Sequence, residues 1–180
     1  MKTSLSSEDG AGRMIAGVDV NYRDGRATAA CVLFADWSDG ELSGRFVSTL
    51  PTPASYQPGM FYRRELLPLT VILEKVTGPL DAVIIDGYVW LDDRGKPGLG
   101  GYLYRALKES VPVIGVAKSR FRGETFAGRV FRGRSNRPLY ITAAGINQEE
   151  AADHIGSMHG PHRIPTMLRE VDRLCREVDQ

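Results

Sequence analysis

Four acidic residues, spread over most of the 180-residue chain, lie where their side chains could meet around a divalent cation. They are Asp19, Glu65, Asp86 and Asp172. Asp19 lies in a strand-like run over residues 14–22, and Asp86 ends the apolar run that begins at residue 82. An acid at the end of a buried strand is costly to desolvate unless something binds it. Two such strand ends therefore suggest a shared cation.

A cluster of carboxylates suits the hydrolysis of a phosphodiester bond. Near neutral pH this reaction needs an activated water and stabilisation of the charge on the leaving oxygen, and two Mg²⁺ or Mn²⁺ ions about 3.5–4 Å apart supply both. These ions take oxygen ligands, and Mg²⁺ keeps several waters, so three or four carboxylates suffice. The sequence has no Cys/His cluster that would indicate zinc instead. Taken singly, however, Glu65 and Asp172 are better explained as solvated surface acids, whereas Asp19 and Asp86 each interrupt an apolar strand.

The amino-acid composition indicates the class of protein and limits what net charge can say about its partners. With 42% hydrophobic and 25% charged residues it has the makeup of an ordinary soluble domain. Because 23 basic residues face 22 acidic ones, net charge argues neither for nor against a nucleic-acid partner. Residues 1–12 predict a disordered leader without a signal core, and no apolar run is long enough to span a bilayer. We therefore expect a cytoplasmic protein with reduced cysteines at positions 31 and 175, no membrane contact and no obligate protein partner.

The order of predicted elements defines the fold class. Three strands joined by Asp-Gly turns predict an antiparallel meander over residues 14–22, 27–35 and 42–50. The elements that follow are a helix over 67–76 with Pro68 in its first turn, a buried strand over 80–86, a helix over 98–110, a strand over 111–117, short strands over 129–131 and 139–142, and helices over 148–156 and 165–178. This order resembles the ribonuclease H-like architecture. It predicts an α/β fold in one domain over 13–180, with a mixed sheet whose meander continues into parallel strands flanked by helices.

In that architecture the first and fourth strands are neighbours. Asp19 and Asp86 would then face each other across one strand spacing of roughly 4.8 Å. Two carboxylates at that separation can share divalent ions.

A local excess of positive charge follows the second buried strand. Residues 118–137 hold seven basic side chains against the single acid Glu124, with phenylalanines interleaved. The basic residues are Lys118, Arg120, Arg122, Arg129, Arg132, Arg134 and Arg137. Such a run in a near-neutral protein is what a phosphate-contacting surface requires, although a solvated loop explains many comparable runs.

An ordered set of motifs resembles the endonuclease V family over roughly residues 14–175. The motifs are Val18-Asp-Val-Asn-Tyr22, Tyr56-Gln-Pro-Gly59 with Arg64-Glu65, Ile85-Asp-Gly87, Val113-Ile-Gly-Val-Ala-Lys118, Arg137-Pro-Leu-Tyr-Ile-Thr142, and Arg163-Ile-Pro165 followed by Arg169 and Asp172. The resemblance implies the ribonuclease H-like fold, Mg²⁺ or Mn²⁺ as cofactor, and DNA or RNA as partner. It also implies nicking at the second phosphodiester bond on the 3′ side of a deaminated purine.

The resemblance also assigns roles to individual residues. The four acids match the family's metal-binding positions, and Lys118 matches a lysine near the scissile phosphate, where a compact ammonium can steady phosphate charge. Residues 56–59 match a wedge that holds the base out of the stack. The nucleic-acid contacts that the resemblance implies are Tyr56, Pro58 and Gly59. Tyr88, just after the Asp86-Gly87 motif, and Arg120, Arg122 and Arg137 of the basic run are further candidates.

The segment 88–102 departs from the family pattern. Relatives carry a glycine-rich, histidine-containing stretch here that helps to form the pocket for the extruded base, whereas this chain has no histidine and carries Tyr88, Trp90 and Tyr102. Nor do the residues before position 14 predict the helix that most relatives place there. Two alternatives therefore stay open: a related nuclease acting on mismatched, branched or structured nucleic acid, and a catalytically silent nucleic-acid-binding module.

Overall fold

A computed structural model describes residues 12–52 and 61–177, which form seven strands and four helices. The strands are β1 (Met14–Arg23), β2 (Arg26–Phe34), β3 (Gly44–Pro51), β4 (Leu80–Asp86), β5 (Val113–Ala117), β6 (Gly128–Val130) and β7 (Leu139–Ala144). The helices are α1 (Phe61–Leu73), α2 (Leu99–Ala106), α3 (Gln148–Ser157) and α4 (Thr166–Glu177). No helix in the described ranges is long and apolar enough to cross a membrane.

The seven strands form one mixed sheet in the order β3-β2-β1-β4-β5-β7-β6. The first three pair antiparallel as the predicted meander, β4 and β5 continue the sheet parallel to β1, and β7 then runs antiparallel to β5. The predicted ribonuclease H-like sheet and the adjacency of its first and fourth strands are thereby confirmed. That adjacency places the ends of β1 and β4 side by side.

Helices cover the two faces of the sheet with separate cores. On one face Val83 and Ile85 of β4 pack with apolar residues of α1 and α2, including Ile72 and Leu103. On the other face the alternate residues of β4 pack with α3 and α4, including Ile155. Because successive side chains of a strand point to opposite faces, β4 needs apolar residues at nearly every position. Its continuous apolar sequence thus has a direct structural cause.

The start of α1 differs from the prediction. The helix is already formed at Phe61, six residues before the predicted start, so Pro68 lies in the helix interior and not in its first turn. Proline has no N–H to donate to the carbonyl four residues earlier, which belongs to Arg64. The hydroxyl of Tyr22 donates to that carbonyl instead, at 2.9 Å. A contact from β1 therefore compensates the hydrogen bond that the proline removes.

The other boundaries of the described elements lie within three residues of their predicted positions. The exception is α2, which ends at Ala106, four residues before its predicted end. Lys108 and Glu109 adopt positive φ angles of 55° and 57°, which α-helices do not accommodate. The predicted leader over 1–12, apart from its last residue, and the predicted wedge at Tyr56, Pro58 and Gly59 lie outside the described residues.

Candidate active site

The pairing of β1 with β4 places two acids at neighbouring strand ends. Val18 pairs with Ile85 in the parallel register, so Asp19 and Asp86 follow at equivalent positions. Since side chains alternate along a strand, both carboxylates fall on the sheet face that α4 covers. The thiol of Cys175 on α4 lies 3.8 Å from a carboxylate oxygen of Asp19, in agreement with that side.

The two remaining acids reach the same place from opposite layers. Asp172 of α4 lines a small cavity together with Asp19 and Asp86, and its volume of about 20 Å³ is room for roughly one water-sized particle. Glu65 of α1 lines an adjoining cavity with Asp19 and Asp86. The structure thus brings all four predicted acids to one end of β1 and β4, although they are up to 153 positions apart in the sequence.

Two basic side chains compensate the acids at this end of the sheet. The ammonium of Lys118, which follows β5, lies 2.7 Å from a carboxylate oxygen of Asp86. The guanidinium of Arg176 donates to Asp172 from one helical turn away, at 2.9 Å. In the described part of the chain, no three histidine, cysteine or acidic side chains are close enough together to hold a metal ion as they stand. Ion pairing with Lys118 and Arg176 occupies oxygens that such an ion would need.

The electrostatics of the acids indicate what they could bind. Burial, and then the nearby Asp86 carboxylate, raises the pKa of Asp19 to about 6. Burial and the carboxylates of Asp19 and Asp86 raise the pKa of Glu65 to about 8. Desolvated carboxylates so close together destabilise one another in their charged forms, and a divalent cation reverses that penalty. A set of four hard oxygen donors fits Mg²⁺ or Mn²⁺.

The backbone around Asp86 depends on a glycine in the neighbouring strand. After β4 the chain turns across β5, and the Gly87 amide donates to the carbonyl of Val116 at 3.1 Å. A Cβ atom on Gly115 would lie only 2.5 Å from the carbonyl oxygen of Gly87. Because glycine has no Cβ, the segment after Asp86 can cross β5 at this point. Gly115 therefore helps to set where the Asp86 carboxylate stands.

The basic segment divides into exposed and structural arginines. Arg122 and Arg137 are exposed, as a phosphate-contacting surface requires. Arg120 donates to the carbonyl of Glu124 at 2.6 Å and lies 3.8 Å from its carboxylate, so its guanidinium is already engaged. Arg132, only 6% exposed, was wrongly predicted to belong to that surface. Its guanidinium donates to backbone carbonyls of the segment between α3 and α4, at Met158, Gly160, His162 and Arg163.

Arg132 and Arg122 should respond differently to substitution. We expect Arg132→Met to lower the free energy of unfolding by roughly 2–4 kcal/mol, because several buried carbonyls lose their donor. We expect Arg122→Ala to leave stability unchanged and to reduce the slope of log K against log salt for nucleic-acid binding by about 1. Urea unfolding and fluorescence anisotropy in metal-free buffer measure the two quantities. A stable Arg132→Met protein with a reduced salt slope would contradict the structural role.

The aromatic residues of the divergent segment 88–102 form hydrogen bonds and a ring stack within the fold. Tyr88 is 8% exposed, and its hydroxyl donates to the carbonyl of Ser119 while accepting from the Phe121 amide. This placement differs from the predicted nucleic-acid contact, because the ring packs beneath the loop that follows β5. Trp90 donates to the carbonyl of Ala143 at 2.8 Å. Tyr102 stacks on Tyr62 of α1 with 3.7 Å between ring centroids.

Sequence reasoning missed several residues that support the site. Arg163, which the sequence offers only as part of a motif, donates to the carbonyls of Lys118, Arg137 and Pro138 and so ties the end of β5 to the approach to α4. Tyr22 contacts α1 through the Arg64 carbonyl. Both predicted free cysteines are confirmed as free and buried, but the position of Cys175 beside Asp19 was not predicted. Helical periodicity alone gives no signal for such a contact.

Together, the mixed sheet and the acids at the ends of its first and fourth strands define an α/β protein of the ribonuclease H-like fold. The chain belongs to the endonuclease V family, whose model matches residues 1–128. An endonuclease V from Pyrococcus horikoshii is 32% identical over 169 residues, covering 91% of this chain and 74% of that protein. One from Thermococcus kodakarensis is 29% identical over 164 residues, covering 91% and 78%.

Solved structures agree with this assignment of the fold. The endonuclease V of Streptomyces avermitilis superposes with a TM-score of 0.74 at 24% identity, covering 93% of this chain and 82% of that one. The endonuclease V of Ciona intestinalis, in complex with a 24-mer DNA containing an inosine followed by a ribo-adenosine, superposes with a TM-score of 0.77 at 17% identity, covering 92% and 85%. At these identities the likeness establishes the fold, and the activity needs its own argument.

Proposed function

We propose that this protein is a metal-dependent endonuclease that nicks DNA or RNA on the 3′ side of a deaminated purine, inosine or deoxyinosine. The register of β1 and β4, which sets Asp19 beside Asp86 and within reach of Lys118, carries the proposal. Membership of the endonuclease V family supports the reaction class. The inosine-containing DNA bound by the Ciona relative supports the choice of base.

Each site residue has a role that follows from its chemistry. Asp19, Glu65, Asp86 and Asp172 would hold Mg²⁺, or Mn²⁺ in its place. Divalent ions in such a site activate water and neutralise charge that develops on a phosphate. The Lys118 ammonium supplies a compact positive charge for a phosphate oxygen. Burial opposes its charged form, but the hydrogen bond and the charge of Asp86 outweigh burial and raise the pKa of Lys118, which keeps it protonated.

Lys118 should act on the rate of cleavage and not on the binding of metal. We expect Lys118→Met to slow nicking at saturating Mg²⁺ by about 100-fold, the loss typical of one donor to a developing charge. Metal binding should be retained or become tighter, since Asp86 loses the cation that competes for its oxygen. Single-turnover nicking and Mn²⁺ titration measure the two effects. Lys75→Met, just past the end of α1, is the matched control, and equal nicking rates for both variants would remove Lys118 from the reaction.

The choice of base is tested by comparing matched strands. DNA and RNA strands of one sequence, with and without a single inosine, are incubated with Mg²⁺ or Mn²⁺ and the cut position is mapped. The proposal predicts a nick at the second phosphodiester bond on the 3′ side of inosine and no cut in the plain strand. Equal rates of cleavage for the inosine-containing strand and the plain strand would contradict the specificity. Loss of all cutting on removal of the metal would still support the metal-dependent reaction.

A second candidate substrate is favoured by the segment 88–102. Its aromatic side chains are engaged within the fold, and in the described structure none of its residues is a histidine that could contact a base. A nuclease with the same acids could then act on mismatched, branched or structured nucleic acid. Adding mismatched and branched duplexes to the same assay separates the two, because only the substrate preference differs between them.

A further inference from the structure

Glu65 reaches the other acids from a helix and not from a strand of the sheet. It lies on α1, in the layer opposite α4, and only one turn from the first described residue of that helix. Asp19 and Asp86, by contrast, lie on strands and pair with β2 and β5 of the sheet. The position of the Glu65 carboxylate therefore depends on how the first turns of α1 are attached to β1.

Tyr22 supplies that attachment through two contacts with one residue. Its hydroxyl donates to the carbonyl of Arg64 at 2.9 Å, and the guanidinium carbon of Arg64 lies 3.8 Å from the centroid of the Tyr22 ring. The carbonyl is free to accept because Pro68, four residues later, has no N–H. A guanidinium at that distance over an aromatic ring adds a favourable cation–π contact. Arg64 directly precedes Glu65, so both contacts act on the backbone that carries the acid.

The strand β1 carries Asp19 and, through Tyr22, also contacts the helix that carries Glu65. Asp19 and Tyr22 are three positions apart, so their side chains point to opposite faces of the sheet. One face presents the Asp19 carboxylate towards α4, and the other presents the Tyr22 hydroxyl towards α1. A shift of α1 along the sheet would break the Tyr22 contacts before it moved the acids on β1 and β4. Pro68 is buried, and the hydrogen bond between Tyr22 and the Arg64 carbonyl is partly buried.

We propose that Tyr22 is a positioning residue which, through the Arg64 carbonyl that Pro68 leaves free, sets the Glu65 carboxylate relative to Asp19 and Asp86. The inference rests on the proposed function, in which Glu65 is a metal ligand. It assigns Pro68 a part as well: the proline keeps the Arg64 carbonyl available for β1 and prevents an ordinary helical hydrogen bond from taking it. Removing the hydroxyl should therefore weaken metal binding without unfolding the protein.

The test compares Tyr22→Phe, Pro68→Ala and the double variant by Mn²⁺ titration of the nucleic-acid-free protein and by urea unfolding. We expect Tyr22→Phe to bind Mn²⁺ roughly tenfold more weakly, the lower end of the loss seen when a partner outside the ligand shell is removed. In the double variant the N–H of the introduced alanine can satisfy the Arg64 carbonyl within the helix, so stability should recover while Mn²⁺ affinity stays low. Tyr104→Phe, beside Gly145 and near the start of β5, is the control.

Three results would overturn the inference, and they are distinguishable from one another. Wild-type Mn²⁺ affinity in Tyr22→Phe would show that the hydroxyl does not position Glu65, and the proposed function would stand. Recovery of both stability and Mn²⁺ affinity in the double variant would show that the Tyr22 hydroxyl only supplies a hydrogen bond to the Arg64 carbonyl and does not position Glu65. Equal Mn²⁺ affinity of wild type and Glu65→Gln would remove Glu65 from the metal site, and with it both this inference and that part of the proposed function.

Discussion

Replacing Asp19 by Asn is expected to abolish metal-dependent nicking and, at the same time, to stabilise the metal-free protein. Activity should fall more than about 100-fold, since losing a partner outside the ligand shell already costs 10–100-fold. Stability at neutral pH should rise by about 1–3 kcal/mol, because burial and Asp86 hold the pKa of Asp19 near 6 and its charged form carries that penalty. Asparagine keeps the oxygen that accepts from the Val20 amide.

The two halves of this prediction are measured separately. Nicking is followed at saturating Mg²⁺ and Mn²⁺, and unfolding by urea is followed with a chelator present. Asp153→Asn, on the exposed side of α3, is the matched control and should change neither quantity. If Asp19→Asn cut nucleic acid at the wild-type rate, Asp19 would not belong to the catalytic site. If the variant were less stable without metal, burial would not be the source of the raised pKa.

The metal-free protein is expected to lose stability as pH rises from about 5 to 8. The pKa of Glu65 is raised to about 8 and that of Asp19 to about 6, so the folded state holds protons that the unfolded chain has released. Stability falls with pH wherever the unfolded state binds fewer protons, so the loss begins above the ordinary carboxylate pKa and ends near the folded value. The coupled acids should together account for roughly 3 kcal/mol, less than the sum of the two separate shifts.

Saturating Mg²⁺ should reverse this trend, because a divalent ion binds the deprotonated acids and stabilises the folded state more strongly as pH rises. Urea unfolding at half-unit steps from pH 5 to 8.5, with chelator and with Mg²⁺, measures both curves. Glu65→Gln should flatten the metal-free curve over its upper part. A metal-free stability that stayed constant or rose between pH 6 and 8 would contradict the burial of Glu65 beside Asp19 and Asp86.

Much of the arrangement of the candidate site could be predicted because strand register follows from local sequence. The apolar runs that end at Asp19 and Asp86 identify two buried strands, and the order of elements places those strands side by side. Since their side chains alternate, one register fixes the relation of both acids. Glu65 and Asp172 sit on helices, where periodicity gives a face but no position along the sheet. The residue pattern offered them as ligands, but only the family resemblance favoured that role over the explanation as solvated surface acids.

The features that escaped prediction depend on tertiary contacts. The helix rule for proline placed Pro68 in a first turn, because the Tyr22 hydroxyl that compensates an interior proline comes from a strand some forty residues earlier. Charge counting placed Arg132 on the surface, because backbone carbonyls that bury a guanidinium leave no trace in composition. Tyr88 was predicted to contact nucleic acid, whereas its ring is buried and its hydroxyl has two partners near the end of β5.

Anomalous scattering from crystals grown with Mn²⁺ tests the central claim most directly, because it locates the ion without assuming any substrate. The account predicts an anomalous peak at Asp19 and Asp86, with carboxylate oxygens among the ligands of the ion. It also predicts that the Lys118 ammonium has moved away from Asp86. A well-ordered crystal in which Mn²⁺ binds elsewhere, while Lys118 and Asp86 keep their ion pair, would contradict it.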